Sequence, residues 1–149
     1  MSISGGLHHV GITVRDLEES VEWYERVFDV SADFRASGSG EELSRAVGVP
    51  DARLELAFLR IGGSSIELLV YDNDRIEEFD RTSADVGSTH VCLHVDDIDK
   101  SYSDLLDRGV TFFAPPLLIE EGPLAGSRFA YFKDPNGVTL ELFETAHDH

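Results

Sequence analysis

The chain contains two copies of one short pattern, HVGITVRDLEES at 9–20 and HVCLHVDDIDKS at 90–101. Each copy begins with His-Val, continues with alternating apolar residues, passes an acidic turn and ends in a run with helical spacing. Alternation with a period of two is typical of a strand, whereas apolar residues three and four positions apart are typical of a helix. Both stretches therefore predict strand, turn and helix, and they indicate two modules with a common plan.

The residues that follow each copy extend this plan. Asp16 and Asp97 are predicted helix caps, with helix ends near Asp29 and at Gly109. Further strands joined by tight turns at Gly62-Gly63 and 134–137 are predicted at 54–61, 65–71, 129–133 and 138–144. Each half is thus roughly βαβββ. The pattern predicts an α+β fold in one domain of 149 residues, with module 1 at about 5–73 and module 2 at about 87–145.

Segments rich in glycine, serine or proline are predicted to connect these elements. Ser37 to Gly40 is expected to be flexible and to precede a short helix around Glu41 to Val47. Residues 75–86 are expected to link the modules. Residues 115–126, with three prolines and two glycines, predict a mobile loop near a pocket mouth.

The charge balance excludes some partners. The chain has 29 acidic against 12 basic residues, a formal net charge of −17, which repels phosphate backbones and anionic lipid surfaces. We therefore expect a small-molecule partner, with no nucleic acid and no membrane. The single cysteine, Cys92, excludes an internal disulfide and favours a reducing cytoplasm. No run of about 18 apolar residues predicts a membrane-spanning helix.

Four strands each place one metal-ligating residue opposite their apolar side chains. Since side chains alternate between faces of a strand, His9 lies opposite the Val10 face and His90 opposite the Val91 face. Glu67 and Glu141 lie between apolar neighbours in the same way. If the helices cover the apolar faces, these two imidazoles and two carboxylates converge on the other side. A solvated polar face without a metal is the alternative interpretation.

A divalent cation would offset the mutual repulsion and the desolvation of two glutamates on one face. Two histidines and two glutamates form a mixed nitrogen and oxygen donor set. Such a set suits one Zn, Mn, Fe, Co or Ni ion with room for water or substrate. The spacing does not choose among these metals.

At these residues the chain resembles the vicinal oxygen chelate superfamily of glyoxalases, bleomycin resistance proteins and dioxygenases. The motifs that carry the resemblance are LHHVGITVRDLEESVEWY, SSIELLVY, STHVCLHVDDID and AYFKDPNGVTLELFE. The resemblance implies paired βαβββ modules in a curved half-barrel sheet with helices on its outer face. It also implies His9, Glu67, His90 and Glu141 as metal ligands, within one chain or shared between the chains of a homodimer.

The same resemblance implies a metal-dependent lyase or isomerase of the glyoxalase I type, because a glutamate stands at position 67. Such an enzyme removes a proton next to a carbonyl or enediolate whose oxygen the metal polarises. Glu141 or Glu67 would act as the base, with Glu55 as a further candidate. The alternatives are a methylmalonyl-CoA-type or cyclitol epimerase, an extradiol-type dioxygenase and a non-catalytic drug-binding resistance protein.

Four other residues near these motifs receive specific predictions. By strand alternation His94 lies on the same face as His90, and it is a candidate substrate contact. Arg128 is a candidate partner for an anionic substrate. By the same alternation His8 lies on the face of Val10, and it is expected to point away from the metal. Cys92 is expected to be a small filler and not a nucleophile, because no base is identifiable beside it.

Overall fold

The computed structural model describes residues 6–72, 77 and 80–146, and it divides the chain into two compact units, Met1–Glu78 and Phe79–His149. In the first unit the elements are β1 (Val10–Thr13), α1 (Leu17–Phe28), β2 (Ala32–Ser39), α2 (Glu41–Val47), β3 (Arg53–Ile61) and β4 (Ser64–Tyr71). In the second unit they are β5 (His90–His94), α3 (Ile98–Asp107), β6 (Leu117–Leu118), β7 (Arg128–Lys133) and β8 (Thr139–Glu144).

The two units have the same sheet topology. The first four-stranded sheet has the order β1-β4-β3-β2 and the second has the order β5-β8-β7-β6. In each sheet the strand at the start of the unit lies parallel to the last strand, and the remaining pairs are antiparallel. The predicted α+β fold with paired βαβββ modules is therefore confirmed.

Each main helix is capped and oriented as its sequence predicts. The side chain of Asp16 accepts a hydrogen bond from the Glu19 amide at 2.9 Å, and Asp97 accepts one from the Lys100 amide at 2.8 Å. These bonds satisfy amide groups that have no partner inside the first helical turn. The apolar face of α1 packs on β3 and β4, and α3 packs on β7 and β8. Both helices thus cover one face of their own sheet.

Helix ends and hairpin turns need backbone conformations that glycine adopts without strain. Gly109 has φ +84° and follows Arg108, the C-cap residue of α3, as the predicted left-handed stop requires. In the turn between β7 and β8, Gly137 has φ +83°, and the Asp134 side chain accepts hydrogen bonds from the Asn136 and Val138 amides. This turn sets the register that places Glu141 in β8.

Two segments differ from their sequence predictions. Ser37 to Ser39, expected to be flexible, belongs to β2, because the backbone pairs with Leu54, Glu55 and Arg53 of β3. Within 115–126, expected to be a mobile loop, β6 pairs with β7, and the Ile119 amide donates to the Ser127 carbonyl at 2.9 Å. Cross-strand hydrogen bonds satisfy the backbone in both places, which the turn-forming composition did not indicate.

The short helix α2 occupies the range predicted for it, Glu41–Val47. Part of the predicted link at 75–86 lies outside the described residues. Among the helices that the structure describes, none is long and apolar enough to cross a membrane.

Candidate functional site

The first unit brings His9 and Glu67 together. His9 directly precedes β1, and Glu67 lies in the middle of β4, paired in parallel register with Gly11. His9 Nε2 lies 3.4 Å from Glu67 Oε2, and the histidine and glutamate side chains are 36% and 18% exposed. The pair is therefore partly shielded from water but open to a ligand.

Gly11 leaves space for the Glu67 carboxylate. A Cβ at this position would lie 3.2 Å from Glu67 Oε2 and 3.6 Å from Leu69 Cδ2. The first of these contacts is tighter than most that occur in folded proteins, so the carboxylate would have to move by a few tenths of an ångström. The absence of a side chain at position 11 thus helps to place the Glu67 oxygen beside His9.

Aromatic rings surround this first pair. Phe58 is the cross-strand neighbour of Glu67, and its ring meets that of His9 edge-on at 5.1 Å. On its other side Phe58 stacks on Phe34 at 4.7 Å. The ring of His8 lies 5.0 Å from that of His9, and their Nδ1 atoms are 2.7 Å apart. The prediction that His8 points away is wrong, because β1 begins only at Val10 and strand alternation does not extend back to His8.

The second unit brings His90 and Glu141 together in the same way. His90 opens β5, and Glu141 lies in β8, paired in parallel register with Cys92. His90 Nε2 lies 3.1 Å from Glu141 Oε2. Glu141 is only 7% exposed, whereas the His90 side chain is 46% exposed. A carboxylate that is this buried needs compensating positive charge or hydrogen-bond donors.

The Glu141 carboxylate raises the pKa of two neighbouring side chains on the same face. Burial, followed by the negative charge of Glu141 and a hydrogen bond to it, raises the pKa of the Cys92 thiol to about 12. Burial and the same carboxylate also raise the pKa of Tyr131, whose hydroxyl hydrogen-bonds to Glu141. Both groups stay protonated at neutral pH and can donate to Glu141. For Cys92 this agrees with the prediction that it is not a nucleophile.

The two pairs occupy equivalent positions of the repeated units. Gly11 and Cys92 stand beside the glutamates in the parallel strands, and Phe58 and Tyr131 stand beside them in the antiparallel strands. Among the described residues, no three His, Cys, Asp or Glu side chains already form a metal-sized cluster. Each unit thus supplies one imidazole and one carboxylate, and their assembly into one four-ligand site stays a prediction.

Of the other predicted site residues, the structure brings His94 alone to this face of the second sheet. His94 lies two positions beyond Cys92 in β5, and its Nε2 is 3.1 Å from the Thr145 hydroxyl. Arg128 instead pairs across strands with Glu144, on the opposite face of β7 from Tyr131. Arg128 Nη1 and Nη2 donate to the two carboxylate oxygens of Asp99 in α3 at 2.6 and 2.8 Å. The structure therefore does not bring Arg128 to the His90–Glu141 pair.

Glu55, the further candidate base, also lies on the opposite face of its sheet. Its cross-strand neighbour in β4 is Val70, whereas the neighbour of Glu67 in β3 is Phe58. Residues that pair directly across strands share a face, and faces alternate along each strand. Glu55 therefore faces the same side as buried Ala57, and the structure does not bring it to Glu67.

The ion pair between Arg128 and Asp99 predicts how the titration of Asp99 depends on Arg128. The hydrogen bonds from Arg128 hold the pKa of the Asp99 carboxyl below its ordinary value. A carboxyl group whose pKa is lower in the folded than in the unfolded chain stabilises the fold at a pH above its unfolded-state pKa. This stabilisation is lost as the pH falls through the folded-state pKa. In an NMR titration of carboxyl ¹³C shifts, Arg128→Gln should raise the midpoint of Asp99, whereas Arg60→Gln, which removes the arginine paired with Asp33, should leave the Asp99 midpoint unchanged. An unchanged Asp99 midpoint in Arg128→Gln would contradict the pairing in solution.

His8, Phe58 and Tyr131 are neighbours of the two pairs that sequence patterns did not identify. Phe58 and Tyr131 each lie in strands with apolar residues on both faces, so alternation alone does not assign them to a face. Their equivalent positions opposite the two glutamates would have been a usable signal once the β3–β4 and β7–β8 registers were known.

The repeated βαβββ units define a class of two-module proteins, and here each unit has one His–Glu pair on a face of its sheet. Residues 6–142 match the family described as the Glyoxalase/Bleomycin resistance protein/Dioxygenase superfamily, and the chain belongs to that superfamily. A solved structure of a glyoxalase family protein from Bacillus cereus superposes with a TM-score of 0.75 at 22% identity, covering 98% of this chain and all of the other. That likeness supports the fold.

Characterised relatives include epimerases and a lyase. The chain is 34% identical to a 2-epi-5-epi-valiolone epimerase from an Actinomyces species, over 91% of this chain and 77% of the relative. It is 32% identical to the mitochondrial methylmalonyl-CoA epimerase of Dictyostelium discoideum, over 94% and 78% of the two chains. A lactoylglutathione lyase from Arabidopsis thaliana is 27% identical over 91% of this chain but only 43% of its own length.

Proposed function

We propose that this protein is a divalent-metal-dependent enzyme that moves a proton at a carbon next to a carbonyl group of a small oxygenated substrate. The observation that carries the proposal is the His–Glu pair repeated at equivalent positions, with nitrogen-to-oxygen distances of 3.4 and 3.1 Å. A single such pair is common on protein surfaces. Two pairs in one repeated context are what a four-ligand metal site built from two modules requires.

The residues fit a divalent cation. We propose His9, Glu67, His90 and Glu141 as its ligands, a set suited to Zn, Mn, Fe, Co or Ni. Glu141 gives a specific reason, because its carboxylate is 7% exposed and its hydrogen-bonding neighbours Cys92 and Tyr131 carry no positive charge. A bound cation would supply Lewis-acid polarisation of the substrate carbonyl, which acidifies the neighbouring C–H bond.

The two glutamates are the proposed proton carriers. Glu67 lies in the middle of β4 and Glu141 in the middle of β8, and a carboxylate oxygen of each can take a proton. In the second unit the Tyr131 hydroxyl and the Cys92 thiol orient the Glu141 carboxylate by donating to it. His94 lines the same face of β5 and is the proposed substrate contact. Glu55 and Arg128 have no role in this proposal, because they lie on the opposite faces of their sheets.

We favour an epimerase over a glyoxalase-type lyase. The sequence alone favoured the lyase, but the two relatives described above at 34% and 32% identity are named as epimerases. An epimerase removes a proton from one side of a carbon and returns it to the other, and two equivalent carboxylates suit this task. The lyase stays the second candidate, because the Arabidopsis thaliana relative is a lactoylglutathione lyase.

The charge of the chain favours a small ketone over an acyl-CoA. The chain has only two lysines among 12 basic residues and a net charge of −17. Binding the phosphates of coenzyme A normally requires clustered Arg and Lys donors. We therefore propose a polyhydroxylated ketone, the chemical class that the valiolone epimerase acts on by its name.

The proposal is tested by solvent exchange. Purified protein loaded with each candidate metal is incubated in D₂O with cyclitol ketones, other α-hydroxy ketones, glutathione hemithioacetal and methylmalonyl-CoA. We expect NMR to show loss of one α-proton signal from a ketone, abolished by EDTA and restored by metal. Exchange accompanied by the signals of the epimer supports the epimerase, and conversion of the hemithioacetal supports the lyase. No exchange with any compound favours an extradiol-type dioxygenase or a drug-binding protein.

We further propose that the protein is a homodimer in the cytoplasm, which the single cysteine fits. Closed two-fold dimers are the commonest oligomers of soluble proteins. Each unit holds one His–Glu pair, so a four-ligand site forms either within one chain or from one unit of each chain. Light scattering of the purified protein tests the dimer.

A mixing experiment decides between the two arrangements. His9→Ala disables the pair of the first unit and His90→Ala that of the second, so each variant alone is expected to bind no metal. If sites are shared between chains, co-refolded variants form one intact site in each mixed dimer, and random pairing restores about a quarter of wild-type metal content. Zero recovery, with mixed dimers verified by differential tags, assigns the site to a single chain. Full metal binding by either single variant would contradict the ligand assignment.

A further inference from the structure

The sequence has two consecutive histidines at the start of the first unit, and both rings take part in one local arrangement. The Nδ1 atoms of His8 and His9 are 2.7 Å apart, with the ring planes at 84°. Two ring nitrogens this close share a single proton, so one nitrogen donates and the other accepts. The His8 ring is also within 6.4 Å of the Phe58 ring, which borders the Glu67 side chain in the sheet.

The other ring nitrogen of His9, Nε2, faces Glu67, which is also a proposed metal ligand. His9 Nε2 lies 3.4 Å from Glu67 Oε2. A histidine binds a metal ion through a nitrogen that carries no proton, and the hydrogen bond at the other nitrogen determines which nitrogen that is. For Nε2 of His9 to face a cation, the proton must be on Nδ1. The available acceptor for that proton is Nδ1 of His8.

We propose that His8 is a positioning residue, whose Nδ1 accepts the Nδ1–H of His9 and thereby fixes the tautomer and ring orientation in which His9 Nε2 points toward Glu67. This inference rests on the proposed metal site for its functional consequence. The hydrogen bond itself is a property of the metal-free protein.

The repeated unit provides a matched control. The residue that precedes His90 is Thr89, so the second unit has no imidazole at the position equivalent to His8. The ring contact of His90 is instead with Tyr131, edge-on at 5.3 Å. If His8 acts by its ring nitrogen, its removal affects metal binding, whereas removal of the Thr89 side chain at the equivalent position does not.

The test combines calorimetric titration with Zn²⁺ or Co²⁺ and ¹⁵N NMR of the histidine rings in the metal-free and the zinc-loaded protein. His8→Ala should weaken metal binding about 10- to 100-fold, which is typical for loss of the partner that orients a ligating histidine. His8→Asn, whose side-chain amide can offer an acceptor near the same place, should recover most of this loss. Thr89→Ala should stay within about twofold of the wild type, since surface substitutions usually cost little. In the zinc-loaded wild type, His9 should carry its ring proton on Nδ1.

Separate outcomes overturn the inference and the proposed function. Wild-type metal affinity in His8→Ala, or a His9 proton on Nε2 in the zinc-loaded wild type, overturns the positioning role of His8. Equal losses in His8→Ala and His8→Asn, with unchanged folding by NMR, also overturn it. If the wild type binds no metal, the proposed function fails together with the metal role of His8, and the ¹⁵N spectra still decide whether the hydrogen bond to His9 exists.

Discussion

Replacing Glu141 with glutamine is expected to remove nearly all proton-transfer activity while the second unit keeps its fold. Glutamine has almost the same shape, but it has no negative charge for a cation and no basic oxygen for a proton. Loss of a general base typically costs about 10²- to 10⁴-fold in rate. Because Glu141 is buried, loss of its charge should not destabilise the metal-free protein. The measurements are solvent deuterium exchange, metal content and urea denaturation of the same preparations.

The control for this variant is Glu22→Gln, which makes the same chemical change on an exposed position of α1. Its activity, metal content and stability should match those of the wild type. Glu67→Gln, the equivalent change in the first unit, should lose metal as Glu141→Gln does. Stoichiometric metal and undiminished exchange in Glu141→Gln would exclude this carboxylate as ligand and base.

Replacing Phe132 with alanine is expected to give the largest loss of stability among single substitutions in the second unit. Phe132 is fully buried in β7, on the face opposite to Tyr131. Its ring contacts Phe112 at 4.9 Å, and Phe112 in turn contacts Tyr102 of α3 at 4.6 Å. Truncation of a buried phenylalanine leaves a cavity and costs about 3–5 kcal/mol. Urea denaturation followed by circular dichroism measures the change in the free energy of unfolding.

Phe113→Ala is the matched control for this prediction. Phe113 follows Phe112 directly but is 59% exposed, so its removal should change the free energy of unfolding by less than about 0.5 kcal/mol. A loss below about 1 kcal/mol in Phe132→Ala would contradict the packing of α3 against the sheet through these rings.

Much of the fold follows from local sequence signals. The caps Asp16 and Asp97, the stop at Gly109 and the hairpin turn at 134–137 each depend on residues a few positions apart. Strand alternation is equally local, and it indicated correctly that Glu67 lies opposite buried Ile66 and Leu68. The internal repeat then supplied what local signals lack, because two matching segments predict two matching units.

The surroundings of the two His–Glu pairs depended on contacts between distant segments. Glu55 lies in a strand with apolar residues on both faces, so only its register with β4 shows that it faces away from Glu67. Arg128 is paired with Asp99, which is 29 positions away in the sequence. Tyr131 meets Glu141 across the β7–β8 hairpin, and strand alternation alone does not show this pairing until the register of the two strands is known.

The sequence by itself determined the βαβββ repeat, the bounds of the main helices and the faces on which Glu67, His90 and Glu141 lie, since these follow from periodicity within a single element. Tertiary structure decided which side chains are neighbours across strands and how His8 turns toward His9. The physical reason is that cross-strand register and the point at which a strand begins result from the combined hydrogen bonding and packing of segments far apart in the chain.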